Sequence, residues 1–270
     1  MMLAPLDRNS FLAELSAADL ELVRPHLTNF RLTAGDRLRC SGDPIEQVVF
    51  PHSGVIGTVM HLSSGESAGA ILVGWNGILG GLEAAGAAPL TCDAEVYIQG
   101  RAARMSASGF RHVLDQSPPM RRLLARYDAA LMMQAHQTAL CNAAHPVEAR
   151  VSRWLLEVLD RSGGFDVPLT QFTLSQMLGV QRTTINLALR RLEAAGVIRR
   201  YRANIQIKGR ERLESHACEC YDQVRNCLSS FVTAPAAAPI PAMPIAASLS
   251  NVCESPMARS AKSQQADRGS

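Results

Sequence analysis

The most constraining feature of this chain is the stretch Leu169–Glu193, in which two short runs of helical apolar spacing are separated by Gly179-Val180-Gln181. The spacing predicts helices over Thr173–Leu178 and Arg182–Ala195 that must cross steeply within a three-residue turn. A steep crossing needs a small residue where the second helix approaches the first, and Ser175 meets that need. The turn needs a residue that accepts positive φ, and Gly179 has no Cβ to obstruct it. In the second helix Ile185, Ala188, Leu189 and Leu192 fall on one face and are expected inside. Gln181, Arg182, Thr183, Asn186 and Arg190 are left facing outward.

Those outward types suit the edge of a base pair. Arginine can bond guanine bidentately, and asparagine or glutamine can do the same for adenine. Residues at the N-terminus of such a helix are best placed to reach base edges, while Arg190, about two turns further along, is expected at phosphate. After Gly196, two short strand patterns, Val197–Tyr201 and Asn204–Lys208, read as a hairpin beside the helix, with Arg199, Arg200 and Arg202 near a nucleic-acid backbone. The formal net charge of the chain is only +3, but it is unevenly spread. His145–His216 holds twelve Lys/Arg against seven Asp/Glu, a local excess that fits a polyanionic partner. The expected partner is double-stranded DNA.

The rest of the chain divides by texture. Asn29–Met105 alternates short apolar runs with Gly, Pro, Asp and Ser, as in Gln47–Phe50, Gly54–Met60, Ala70–Val73 and Ala94–Ile98. Strands punctuated this closely read as a β-sandwich or roll. Pro118-Pro119 opens a run to Asn142 without internal Gly or Pro, a helix of some 20 residues spanning about 30 Å. Leu124, Leu131 and Thr138 share a heptad face with Tyr127 and Gln134 beside it, and this stripe is expected to pair with a second copy of the helix. Beyond Pro146, Val151, Trp154, Leu155, Val158 and Leu159 mark one face of a further helix ended by Gly163-Gly164. From about Ser229 the Ala-, Pro- and Ser-rich sequence predicts disorder to Ser270. The expected organisation is a β-roll sensor over 1–117, a dimerisation helix over 118–143, a winged helix-turn-helix over 144–228 and a tail over 229–270.

Composition narrows the function classes. No run reaches the roughly 18 apolar residues of a transmembrane helix, and Met1–Ser10 lacks the pattern of a secretory signal, so a cytoplasmic location without membrane partners is expected. Seven scattered cysteines do not form a disulfide framework. Cys218, Cys220 and Cys227 lack paired C-x-x-C spacing and read as small buried apolar residues, so no metal or other cofactor is expected. A metal- or redox-responsive regulator using the cysteines is the alternative. His52 and His61 are too far apart for an H-x-H metal pair and read as surface or loop residues. Without clustered carboxylates and histidines, an enzyme built on a β-roll with an unrelated helical tail is the weaker alternative, and no catalytic residue is assigned.

The stretch from Arg150 to Tyr221 closely resembles the C-terminal domain of the Crp/Fnr superfamily. The resemblance lies in Arg150–Leu156, Leu169-Thr170-Gln171, Met177–Arg182 and Leu192–Ile198, with Ala217-Cys218-Glu219-Cys220-Tyr221 similar to one proteobacterial branch. The N-terminal half is a weaker match, through Gly54-Val55-Ile56 and Val73–Gly77. The resemblance implies an α+β chain with a cyclic-nucleotide-binding-like β-roll, a long dimerisation helix and a C-terminal winged helix-turn-helix. It implies a homodimeric transcription regulator on a palindromic operator, with RNA polymerase a further candidate partner. Arg182 stands where that family has its guanine-reading arginine, but Thr183 replaces the usual glutamate and Leu187 an arginine, so the family's best-known operator does not transfer. Cyclic-nucleotide sensors of the family hold phosphate with a glycine-glutamate element and an Arg-Ser/Thr-Ala triplet. This chain has Gly80-Gly81-Leu82-Glu83 but no arginine between Cys40 and Arg101, and Asp93 would repel an anion. Its roll is therefore not expected to bind a cyclic nucleotide, and its ligand is left open.

Overall fold

The structure, a computed structural model, describes residues 8–86 and 91–233. The chain opens with helices α1 (Ser10–Ala13) and α2 (Ala17–Val23) and then strands β1 (Thr28–Leu32), β2 (Arg37–Arg39), β3 (Gln47–Pro51), β4 (Val55–His61) and β5 (Ser67–Val73). Helix α3 (Gly81–Gly86) precedes β6 (Asp93–Ile98) and β7 (Gly100–Ser106), and α4 (Ala107–Gln116) leads into the long helix α5 (Pro118–Ala144). The C-terminal part comprises α6 (Val147–Ser162), β8 (Asp166–Val167), α7 (Gln171–Leu178), α8 (Arg182–Ala194), β9 (Ile198–Tyr201), β10 (Asn204–Ile207), α9 (Arg210–Glu214) and α10 (Cys220–Thr233). This is the expected α+β order of roll, long helix and winged helix-turn-helix. The disordered tail expected from Ser229 is corrected at its start, because residues 229–233 complete α10. Its remainder, 234–270, lies outside the described residues.

The roll is two antiparallel sheets, ordered β1-β7-β3 and β2-β6-β4-β5. Alternation sets their inner faces, so Leu32, Val49, Ile56, Val73, Val96 and Ala102 meet between them. Local chemistry fixes the helix starts. Ser16 caps α2 by accepting from the Asp19 amide at 3.1 Å, and Ser117 caps α5 by accepting from the Met120 amide at 3.0 Å. Pro118, whose missing N–H costs nothing in a first helical turn, follows that cap. The Ser117 hydroxyl also donates to Asp19 at 2.5 Å, joining the start of the long helix to α2.

The core does not stop at the segment boundaries. One apolar cluster unites Val55, Leu72 and Tyr97 of the roll with Trp154, Leu155, Met177 and Leu189 of the C-terminal part. Gly69 in β5 permits this closeness: a Cβ there would lie 2.3 Å from the Met177 methyl carbon. Helix α6 sits at the centre and is buried on nearly all sides. Its apolar face is as expected, but Arg150, Arg153, Glu157 and Arg161 are also buried. They survive burial because they are paired. Arg153 lies 3.0 Å and Arg161 3.7 Å from Glu157, and Arg150 donates to the Leu178 carbonyl.

The face assigned to dimer contact on α5 is corrected. Leu124, Tyr127 and Gln134 are buried inside the protomer, and Leu131 and Thr138 are half-buried. Leu124 and Tyr127 pack in the cluster with Phe11 and Phe110. The Tyr127 hydroxyl donates to the Ile78 carbonyl at 3.0 Å, and Gln134 donates to Glu157 at 3.4 Å. The opposite stripe, Ala125, Ala129, Met132, His136, Ala139 and Ala143, is exposed, with Met133 and Leu140 at its flanks. Both stripes have heptad spacing, and periodicity alone does not say which one the protein's own core consumes. His52, expected in a loop or at the surface, lies in the bend between β3 and β4 and is buried there.

Candidate nucleic-acid interface

Helix α7 begins at Thr170, whose hydroxyl accepts from the Thr173 amide at 3.1 Å, and ends at Gly179 in the left-handed conformation with φ 61°. That glycine reverses the chain within one residue, and Gln181 in extended conformation starts α8. Ser175 is buried and donates to the Phe172 carbonyl at 2.7 Å, which keeps its hydroxyl satisfied at the helix crossing. Ile185, Ala188, Leu189 and Leu192 are all buried. Gln181, Arg182, Thr183, Leu187 and Arg190 are exposed, and Asn186 is half-buried.

The hairpin β9–β10 pairs Tyr201 with Asn204 across a two-residue turn, Arg202-Ala203, and β8 adds on the far side of β10. Its inner residues Ile198, Ile205 and Ile207 are buried, while Arg199 and Arg202 are exposed. Arg182 lies over the Phe172 ring at 6.0 Å and Arg199 over the Tyr201 ring at 5.5 Å, contacts that restrict these two exposed side chains.

Arg200 is placed differently from its neighbours. It bonds Glu193 through Nε and Nη2, each at 2.7 Å, and donates from Nη1 to the Asn186 carboxamide oxygen at 3.0 Å. The Arg200 amide also donates to Glu193 at 2.9 Å. These bonds hold the Glu193 carboxyl below the usual carboxylate range, the backbone amide being the largest cause. Arg200 thus fastens the hairpin to α8 and orients Asn186. In the sequence Arg200 reads with the other hairpin arginines, and nothing local marks Glu193, seven residues earlier, as its partner.

In the roll, Arg39 from β2 reaches the Gly80–Glu83 element. Its Nη2 lies 3.2 Å from Glu83 and 3.8 Å from the Cys92 sulfur. An arginine is therefore present near that element, contributed by β2 from the position just before Cys40. Its charge faces Glu83, and Arg37 lies 3.7 Å from Asp93. A cavity of about 570 Å³ lined by Phe30, Leu38, Arg39, Ile45 and Leu79 adjoins them.

Residues 149–216 match the family model described as the Crp-like helix-turn-helix domain. No curated protein matches the chain. Among solved structures, FixK2 from Bradyrhizobium japonicum is similar with a TM-score of 0.60 at 20% identity, covering 71% of this chain and 98% of its own. A Crp/Fnr-family transcriptional regulator from Eubacterium rectale has a TM-score of 0.62 at 16% identity, over 77% and 98%. The c-di-GMP-responsive global regulator CLP of Xanthomonas campestris has 0.59 at 16% identity, over 72% and 100%. The fold and the site define a helix-turn-helix protein. Residues 149–216 form a Crp-like helix-turn-helix domain, and the described chain as a whole shares its fold with solved Crp/Fnr-family structures. No helix among the described residues is long and apolar enough to cross a membrane.

Proposed function

We propose that this protein binds a palindromic operator as a homodimer, with α8 entering the major groove of each half-site. The observation that carries this reading is the exposed polar start of α8, set up by the left-handed Gly179 and flanked by the arginine-bearing hairpin. Gln181, Arg182 and Thr183 stand at the groove-facing end and Asn186 one turn on, where base edges are read. Arg190, Arg199 and Arg202 contact phosphate and set affinity and register. Arg200 acts through Glu193 and Asn186 as a positioning residue. Two copies pair along the exposed stripe Ala125–Ala143 of α5, whose small residues allow close approach between helices.

The roll is the sensor, and its ligand is not a cyclic nucleotide. Glu83 pairs with Arg39 and Asp93 pairs with Arg37, so a phosphate would have to compete with both carboxylates for these guanidinium groups.

A gel-shift series against selected genomic fragments at several salt concentrations tests the reading. Specific binding should weaken steeply with salt through counterion release. Arg182→Ala should lose about 1–3 kcal/mol on the preferred sequence and little on others, whereas Arg202→Ala should weaken all duplexes alike. A protein that ignores every duplex at low salt would refute the proposal.

A further inference from the structure

Away from the DNA-facing surface, four ligand-type side chains converge where α5 ends. Cys141 and His145 lie one turn apart at the end of α5, and Cys218 and Cys220 flank the start of α10. The three sulfurs and one ring nitrogen all lie within 4.8 Å of one another. Cys141 Sγ is 3.5 Å from Cys218 Sγ, and Cys220 Sγ is 3.4 Å from His145 Nδ1. The cysteines are 0%, 8% and 1% exposed in chain order, with His145 closing the rim.

We propose that Cys141, His145, Cys218 and Cys220 form a tetrahedral zinc site, through three thiolates and the imidazole Nδ1. Zinc bonds of about 2.3 Å to sulfur and 2.0–2.1 Å to nitrogen give tetrahedral edges of roughly 3.5–3.8 Å, close to the Cys141–Cys218 and Cys220–His145 separations and within reach of small rotations for the rest. The surroundings are those a thiolate site needs. Gln137 donates to Cys220 Sγ at 3.0 Å. His145 Nε2 lies 3.3 Å from the Glu219 carboxylate, which fixes the ring with Nδ1 turned to the sulfurs. Three thiolates and Zn²⁺ leave one net negative charge, and Arg150 and Arg153 interact with these cysteines from α6. Binding releases the thiol protons to solvent. The tight clustering suits a single ion better than a polynuclear iron-sulfur centre, whose ligands must bracket several metal atoms. Three cysteines packed merely as small apolar residues would not draw the amide donor and the carboxylate-oriented histidine around them.

The site joins the end of the long helix to the helix that follows the DNA-binding domain, 77 residues later in the chain. It was not legible as a motif, since neither Cys141-x-x-x-His145 nor Cys218-x-Cys220 has the usual paired spacing alone.

The full chain, purified under reducing, chelator-free conditions, should carry about one zinc per chain by plasma mass spectrometry. Cys218→Ser combined with Cys220→Ser should lower that content at least tenfold. Should that variant misfold, metal-stripped wild-type protein titrated with Co²⁺ should develop thiolate-to-cobalt charge transfer and tetrahedral ligand-field bands that Zn²⁺ abolishes. Iron with acid-labile sulfide in place of zinc would overturn the proposal. So would a Cys141–Cys218 disulfide in reduced-handled protein, or wild-type chain that binds neither metal while its thiols react freely.

Discussion

Arg161, on the last turn of α6, donates from Nε to the backbone carbonyl of Leu72 at 3.1 Å. The bond joins the central helix of the C-terminal part to strand β5 of the roll. The same guanidinium lies 3.7 Å from Glu157 and covers Gly74, where a Cβ would meet the Arg161 side chain at 2.7 Å. A change in the roll that moves β5 thus acts directly on α6, against which α8 packs.

Arg161→Leu removes one charge of a buried set and leaves Glu157 with the Arg153 charge and the Gln134 amide. Breaking a buried ion pair costs about 3–5 kcal/mol, and Arg153 should hold the loss toward the lower end. Urea denaturation measures it; a loss under half a kilocalorie would show that Arg161 contributes little.

Arg200→Ala separates positioning from phosphate contact. The variant loses charge-assisted bonds to Glu193 and one bond to Asn186, and should be destabilised by about 1–2 kcal/mol at neutral pH. Glu193 has a folded pKa below its ordinary 4.5, so its contribution is present above that value and is lost as pH falls through the lowered one. Thermal melts of wild type and variant should therefore converge in acid. Arg199→Ala, which breaks no such bonds, should melt like wild type.

The exposed stripe on α5 gives a contrast between two substitutions. Ala139→Glu should leave the fold intact and shift the chain from dimer to monomer in sedimentation velocity, because a charge enters the pairing face. Leu124→Ala, inside the protomer core, should instead cost about 2–5 kcal/mol of stability. Equal dimerisation by the Ala139 variant would remove that stripe from consideration.

Burial raises the Asp128 carboxyl to about 7, with the Glu83 charge adding to the effect. The folded pKa lies above the unfolded value of 3.8, so the native state holds the proton more tightly. Stability from this group falls as pH rises from about 4 to 7, and the penalty is complete above that range. Asp128→Asn should raise the melting temperature at pH 8 and raise it much less at pH 5. An identical gain at both values would show that the carboxyl titrates normally.

Much of the fold was legible because local rules and burial agreed. Ser16 and Gly179 stand where cap and turn chemistry require them, and α8 buries the face its apolar spacing marks. The β-roll followed from short strands closed by turn residues. In the candidate interface, the outward positions of Gln181, Arg182 and Arg190 followed from the same helical period, whereas the bonding of Arg200 to Glu193 depended on how the hairpin lies against α8.

The helix-turn-helix, its exposed polar edge and the order of elements can be read from the chain alone, because these rest on interactions within a few residues. Long-range packing settles which stripe of α5 is free, buries the charged side of α6 and brings Arg39 to Glu83. The same packing gathers Cys141, His145, Cys218 and Cys220. Each of these depends on surfaces far apart in the chain competing for the same core, and periodicity records the existence of an apolar or charged face without recording what will cover it.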